Sequence, residues 1–337
     1  MQVAVLSIDG GGMKGIISSI VLAKLEKYLQ EYSSDSKSSL TDYFDLVAGT
    51  STGSILTALL LCPGEQGMPK YSPEDALELY LTKGKEMFRK RAFYPVNTLF
   101  GLFNSKYTNK YFSQELRNYF GELKMSELRK PSLIVSYDMK TRKTLFINSE
   151  SCSKNEKRDM DVADAVLASC SAPTYFPPVC SRKYGDCVDC LIDGGVSANN
   201  PAMSAMVEAL KMPAVNEIKD VYVLSVGNIA SPKTYSYKQA KNWGLIDYAV
   251  PIIDIIMESS EEIVDYQMKK IYENLNAPGQ YQRIEARTTG KIPAMDDTSA
   301  KALERFVEIG HELANDYDEE LKKCAKYLIE IRKMRKM

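Results

Sequence analysis

The stretch Val3-Ala4-Val5-Leu6-Ser7-Ile8-Asp9-Gly10-Gly11-Gly12-Met13-Lys14-Gly15-Ile16 decides the fold class. The residues Val3 to Ile8 read as a buried strand and the glycine cluster as a tight loop. Ile16, Ile20, Leu22, Leu25 and Leu29, at roughly helical spacing, mark the helix that follows. The unit recurs. Phe44-Asp45-Leu46-Val47-Ala48 forms a short strand that runs into Gly49-Thr50-Ser51-Thr52-Gly53, and Ile55 to Leu61 continues as an apolar helix. Further strands are expected at Ser132 to Tyr137, Thr144 to Asn148, Cys190 to Ile192 and Val221 to Val226, the last ended by Gly227. Helices are expected over Pro73 to Arg89, Asn109 to Phe120 and Asp161 to Cys170, with two long amphipathic helices within Thr298 to Arg335. Strands alternating with helices predict an α/β domain around a mostly parallel sheet.

Working outward, Tyr- and Lys-rich segments between residues 63 and 130 read as a helical insertion covering a single domain that spans 1–290. Residues 291–337 read as helices packed on that same domain. With 337 residues, 45% hydrophobic and 26% charged, the chain can bury a sizeable core, which excludes intrinsic disorder. A net charge of −1 gives no field that would attract nucleic acid, so no nucleic-acid polymer is expected as a partner. The apolar runs fall short of the ~18–20 residues of a membrane span. No basic leader with a cleavage site precedes the first strand, from which a cytoplasmic address is expected. Seven scattered cysteines fit reduced thiols. Cys187-Val-Asp-Cys190, with Cys180 and Cys170 nearby, invites a zinc reading, but a second correctly spaced pair is lacking and His311 is remote, so neither metal nor other cofactor is expected.

Gly49-Thr50-Ser51-Thr52-Gly53 matches G-x-S-x-G in the strand-to-helix context that a nucleophile elbow needs; its bland reading is a small-residue helix cap. Gly10 to Gly15 fits the G-x-G-x-x-G of dinucleotide sites, but serine-rich Ser33 to Ser39 stands where the ribose-binding acid belongs. A glycine loop beside a nucleophile can instead aim backbone N–H groups at an oxyanion, with Lys14 adding positive charge. A serine nucleophile needs a base. His311, the sole histidine, lies on the apolar-striped helix Ala302 to Ala314, whereas Asp193 ends an apolar strand and precedes Gly194 and Gly195.

Taken together, Asp9-Gly10-Gly11-Gly12-Met13-Lys14-Gly15, Gly49-Thr50-Ser51-Thr52-Gly53, Ala168-Ser169-Cys170-Ser171-Ala172-Pro173-Thr174-Tyr175-Phe176-Pro177-Pro178 and Asp193-Gly194-Gly195 resemble the patatin family of lipid acyl hydrolases. The similarity to plant patatins extends through Lys241-Asn242-Trp243-Gly244 and Met295-Asp296-Asp297 over nearly the whole chain. The resemblance implies a three-layer α/β/α fold and a Ser–Asp dyad: Ser51 as nucleophile, Asp193 as base, and the Gly10, Gly11 and Gly12 amides as oxyanion hole. Lys14, Gly49, Gly53, Gly194 and Gly195 would support them. It further implies phospholipid or lysophospholipid substrates met at a membrane surface, without a metal. From bacterial members it also suggests a cyclic nucleotide activator and a role in antiphage defence; a homo-oligomer is left open as a further partner.

Two competing functions remain open at this stage: an α/β-hydrolase-type esterase with a Ser51/Asp193/His311 triad, and a nucleotide-responsive binding module whose glycine loop holds phosphate. Phe93-Tyr94-Pro95 and Leu99 to Phe103, with Arg89, Lys90 and Arg91, are expected to touch the lipid surface.

Overall fold

A computed structural model of the chain describes residues 2–90, 104–180, 190–229, 234–248, 251–286 and 291–336. Among these, the elements run β1 (Val3–Ile8), α1 (Gly15–Ser33), β2 (Leu46–Thr50), α2 (Thr52–Leu61), α3 (Pro73–Met87), α4 (Asn109–Phe120), β3 (Ser132–Asp138), β4 (Lys143–Asn148), α5 (Ser149–Ser153), α6 (Val162–Ser169), β5 (Leu191–Asp193), α7 (Gly195–Ala198), α8 (Ala202–Ala209) and β6 (Val221–Ile229). They continue with α9 (Tyr237–Ala240), α10 (Leu245–Tyr248), α11 (Pro251–Asn274), β7 (Tyr281–Ala286), α12 (Ala300–Asp316) and α13 (Asp318–Lys336).

One seven-stranded sheet has the order β4-β3-β2-β1-β6-β7, with β5 also paired to β3. The neighbours β3, β2, β1, β6 and β7 are parallel, while β4 and β5 run antiparallel to β3. Every residue of β1 is buried, as a parallel strand covered on both faces requires. Its side chains alternate between two cores. Ala4, Leu6 and Ile8 join Ile16, Ile17 and Leu56 of α1 and α2 and Phe306 of α12, whereas Val3 and Val5 join Ala205 and Met206 of α8 and Met268 and Tyr272 of α11. Helices on both faces of a mostly parallel sheet make the three-layer α/β/α architecture that the resemblance implies. The helices α12 and α13 both pack on α1.

Three differences from the sequence reading have physical causes. The second strand begins at Leu46 and not Phe44, because the Asp45 carboxylate accepts the Ala4 N–H at 2.7 Å and so takes up a donor where a strand partner would be. Gly227 does not end β6, which continues to Ile229. A Cβ at Gly227 would stand 2.6 Å from Arg283 Nη2, so this glycine admits the Arg283 guanidinium. Finally, β7, α8 and α11 were not read from the sequence at all.

The pairing around β3 matters most for function. β4 occupies one edge of β3 from Leu133 to Asp138, so β2 and β5 share the other. β2 rises along it until Thr50 meets Val135, and β5 descends along it until Asp193 meets Ser136. Two strands approaching head-on along one edge therefore bring the end of each to the same point. Among the described residues no helix is long and apolar enough to cross a membrane.

Candidate active site

Ser51 is the first residue after β2 and the N-cap of α2, with φ 52° and ψ −123°. A non-glycine residue in this region carries strain of ~1–3 kcal/mol, which persists only when its surroundings hold it. Here they do. The Ser51 N–H donates to Ser169 Oγ at 2.9 Å, and Ser169 in turn donates to the Val135 carbonyl at 2.6 Å. The Ser51 carbonyl accepts both the N–H and the hydroxyl of Ser54, at 2.8 and 2.6 Å. A Cβ on Gly53 would overlap the Ile8 carbonyl, so only glycine lets the first turn of α2 reach the end of β1.

At the end of β5, Asp193 is 1% exposed, and its Oδ2 accepts the Ser51 hydroxyl at 2.7 Å. Its other oxygen, Oδ1, accepts the Gly195 N–H at 2.7 Å. Burial pushes the Asp193 carboxyl up to about 7, against the lowering effect of the Ser51 hydroxyl and the Gly195 amide. Such a carboxylate combines ionisation near neutrality with the basicity to take a proton. Cys170 lies beside the pair with Sγ 3.7 Å from Ser54 Oγ, and burial, with the Asp193 charge, holds its thiol well above the ordinary range.

The glycine loop approaches from β1. A Cβ on Gly10 would overlap Asn199 Oδ1 and stand 3.1 Å from Ser51 Cβ, so the loop backbone lies directly against the serine. The Gly10 N–H donates to the Asn199 carbonyl at 3.1 Å, and the Met13 N–H to the Met295 carbonyl at 2.7 Å. The Gly10 amide, expected in the oxyanion hole, is thus already taken by Asn199, whereas between the two bonds the Gly11 and Gly12 amides have no partner among the described residues. Beneath the loop, buried Asp9 forms an ion pair with Arg283 at 2.6 Å, and burial, eased by Arg283, raises its carboxyl to about 6.

Ser51 and Asp193 open onto a cleft whose further lining includes Ile55, Met87, Phe88, Phe112, Tyr175 and Phe176. Phe176 contacts Phe88, Tyr107 and Phe112 in an aromatic cluster. An apolar cleft ending at a hydroxyl–carboxylate pair can hold a hydrocarbon chain while exposing one ester carbonyl to the serine.

Over residues 6–206 the sequence matches the profile of the patatin-like phospholipase family. It is 32% identical to Patatin-like protein 4 of Arabidopsis thaliana, covering 99% of this chain and 93% of that protein. The chain belongs to the patatin-like phospholipase family. Membership sets it among lipid acyl hydrolases. Patatin-2-Kuras 3 of Solanum tuberosum is 31% identical, covering 99% and 92% of the two chains. An equally similar potato protein bears the name "Probable inactive patatin-3-Kuras 1", at 31% identity and 99% and 94% coverage, so hydrolysis must be argued from the residues at the site.

For this patatin-like chain the structure brings together Ser51, Asp193, the glycine loop, Gly49, Gly53, Gly194 and Gly195. Lys14 stands apart from the pair: its Nζ donates to the Ile229 carbonyl at 3.3 Å, and with Gly10, Gly11, Asn199 and Glu261 it lines an adjoining cleft that shares Met257 and Met295 with the Ser51 cleft. His311 is exposed on α12 and lines no part of the Ser51 cleft, so the triad is not formed. Met295 takes the Met13 amide, so of the residues from Gly11 to Met13 only Gly11 and Gly12 keep an N–H with no partner among the described residues. Cys187, Arg91, Phe93-Tyr94-Pro95 and Leu99 to Phe103 lie outside the described residues, while Arg89 and Lys90 are exposed. Among the described residues no cysteine group gathers metal ligands; the one such cluster is Asp9, Glu261 and Glu285, and Arg283 is paired with two of the three.

Sequence reasoning passed over Ser169, Asn199, Asn228 and Asp296. Asp296 accepts the Tyr107 hydroxyl at 2.6 Å and pairs with Lys106, tying the 63–130 segment to the residues that cover the loop. Ser169 and Asp296 both sit inside motifs that carried the resemblance, which was the available signal.

Proposed function

We propose that this chain hydrolyses fatty acyl esters of phospholipids or lysophospholipids, with Ser51 as nucleophile and Asp193 as general base. The observation that carries the reading is the 2.7 Å hydrogen bond from Ser51 Oγ to Asp193 Oδ2, both of which line the apolar cleft. Ser51 Oγ attacks the ester carbonyl as its proton passes to Asp193 Oδ2. The resulting tetrahedral oxyanion accepts the Gly11 and Gly12 amides. Collapse breaks the ester C–O bond, Asp193 returns the proton to the departing alkoxide, and an acyl-Ser51 remains. Water then attacks the acyl carbon, giving its proton to the same carboxylate; the acyl C–Oγ bond breaks, Asp193 returns the proton to Ser51 Oγ, and fatty acid and free serine result. A general base contributes typically ~10²–10⁴-fold and one oxyanion donor ~10²–10³-fold, so the loss of either is measurable.

The proposed setting is the cytoplasmic surface of a membrane, touched peripherally, with Phe93-Tyr94-Pro95 and Leu99 to Phe103 as the contacting residues. Activation by a cyclic nucleotide and an antiphage role rest on the resemblance alone. Lipid mass spectrometry of phospholipid vesicles incubated with the wild type and with Ser51→Ala, with and without cyclic nucleotides, tests both parts. Free fatty acid and lysolipid from the wild type only are expected, and equal release by Ser51→Ala would refute the assignment.

A further inference from the structure

We infer that Asn228 is a positioning residue that aims the Gly11 amide at the oxyanion; the inference rests on the Ser51 hydrolase reading above. The parallel register of β1 and β6 pairs Ile8 with Val226, which carries Asn228, two residues on, alongside Gly10. There its Nδ2 donates to the Gly10 carbonyl at 2.7 Å. The amide orientation follows from its partners: a peptide carbonyl only accepts, so nitrogen must face it, and the Asn228 Oδ1 is left to accept the Ser18 hydroxyl at 2.8 Å. Asn228 is 5% exposed and Ser18 fully buried, so water does not compete for either bond.

The Gly10 carbonyl and the Gly11 N–H belong to one planar trans peptide and point in opposite directions. Holding the carbonyl on Asn228 therefore turns the Gly11 N–H away from Asn228, and that N–H has no partner among the described residues. The preceding peptide is fixed independently by the Gly10 N–H bond to Asn199, and the following turn by the Met13 bond to Met295. Glycines at 10, 11 and 12 leave the loop backbone free to rotate, so its preorganisation has to come from such partners. Asn228 is the side chain that grips the peptide bearing an unpartnered N–H, and an oxyanion donor works only if it is oriented before charge develops.

The test is steady-state kinetics of Asn228→Asp on a soluble ester, with rates normalised to active sites titrated by a fluorophosphonate. Aspartate keeps the shape but, ionised, cannot donate to the Gly10 carbonyl. A kcat per titrated site lowered roughly 10- to 100-fold with KM within about twofold is expected, a fraction of the ~10²–10³-fold owed to a whole donor. Unchanged kcat per site, or a rise in KM alone, would overturn the positioning role. If Asn228→Asp does not fold, Ser18→Ala loosens the same amide from behind and should lower kcat about three- to tenfold per site; no change would overturn the proposal. Ser51→Ala run alongside separates the two claims, because activity surviving in that variant refutes the hydrolase reading itself, whatever Asn228 does.

Discussion

Thr50 and Asp193 occupy successive positions along one edge of β3, Thr50 opposite Val135 and Asp193 opposite Ser136. Ser51 follows Thr50 directly, so the Ser51–Asp193 contact is made by strand pairing. A slip of β5 by one residue would turn the Asp193 side chain to the opposite face of the sheet and break the contact. β5 is only three residues long, and the Ser136 hydroxyl bond to the Ile192 carbonyl at 2.8 Å helps to hold its register.

Asp193→Asn is expected to lower kcat by at least ~10²-fold, the minimum for a lost base, and at the same time to stabilise the protein. The sign follows from linkage. The Asp193 carboxyl titrates higher in the folded state than its ordinary 3.8, so its stabilising contribution is complete below that value and is lost as pH rises through about 7. Asparagine removes that loss. Thermal unfolding should show a larger gain in Tm over wild type at pH 8 than at pH 5; a Tm lowered at both would contradict the burial argument.

The same titration sets the activity profile. Only the carboxylate accepts the Ser51 proton, so kcat/KM on a soluble ester should rise with pH along a limb near 7 and then level off. The competing triad would draw its base from the one imidazole of the chain, His311. In His311→Gln the limb should persist and kcat/KM should stay within about threefold, under ~1 kcal/mol of transition-state stabilisation. Disappearance of the limb in that variant would restore the triad.

Ser169→Ala leaves the buried N–H of a strained residue without its acceptor, at a cost of ~1–3 kcal/mol. Calorimetry should show a lowered Tm, and kcat should fall by ~10- to 100-fold as the elbow shifts, since small misplacements of a reacting group cost up to about that factor. A variant with lowered Tm but full kcat would show that Ser169 serves stability alone.

Ile55→Phe adds bulk to the wall of the apolar cleft next to Ser51. Hydrolysis of a long-chain ester should fall at least about tenfold relative to a butyrate ester, with overpacking costing ~1–3 kcal/mol of stability. Equal losses on both substrates would mean that the acyl chain does not lie in this cleft.

The legible parts of the sequence were those where local pattern and final environment agree. The buried run Val3 to Ile8 could only be an inner strand, and the small residues around Ser51 and Asp193 marked sharp backbone turns before any partner was known. The helix from Pro251 to Asn274 went unread because its apolar residues serve different neighbours: Met268 and Tyr272 pack beneath the sheet, while Ile263 and Tyr266 remain exposed. Asn228 was invisible for another reason. Its role depends on a register between β1 and β6, which lie more than 200 residues apart, and nothing in its own neighbourhood announces the carbonyl it holds. Gly227 misled in the same way, since its purpose is to admit an arginine from the next strand.

The most direct test of the Ser51–Asp193 account is the site and rate of covalent capture by a long-chain fluorophosphonate, read by peptide mass mapping. A single adduct on Ser51, formed at least ~10²-fold faster in the wild type than in Asp193→Asn, is the predicted result. An adduct on another residue, or an unchanged rate in Asp193→Asn, would contradict it.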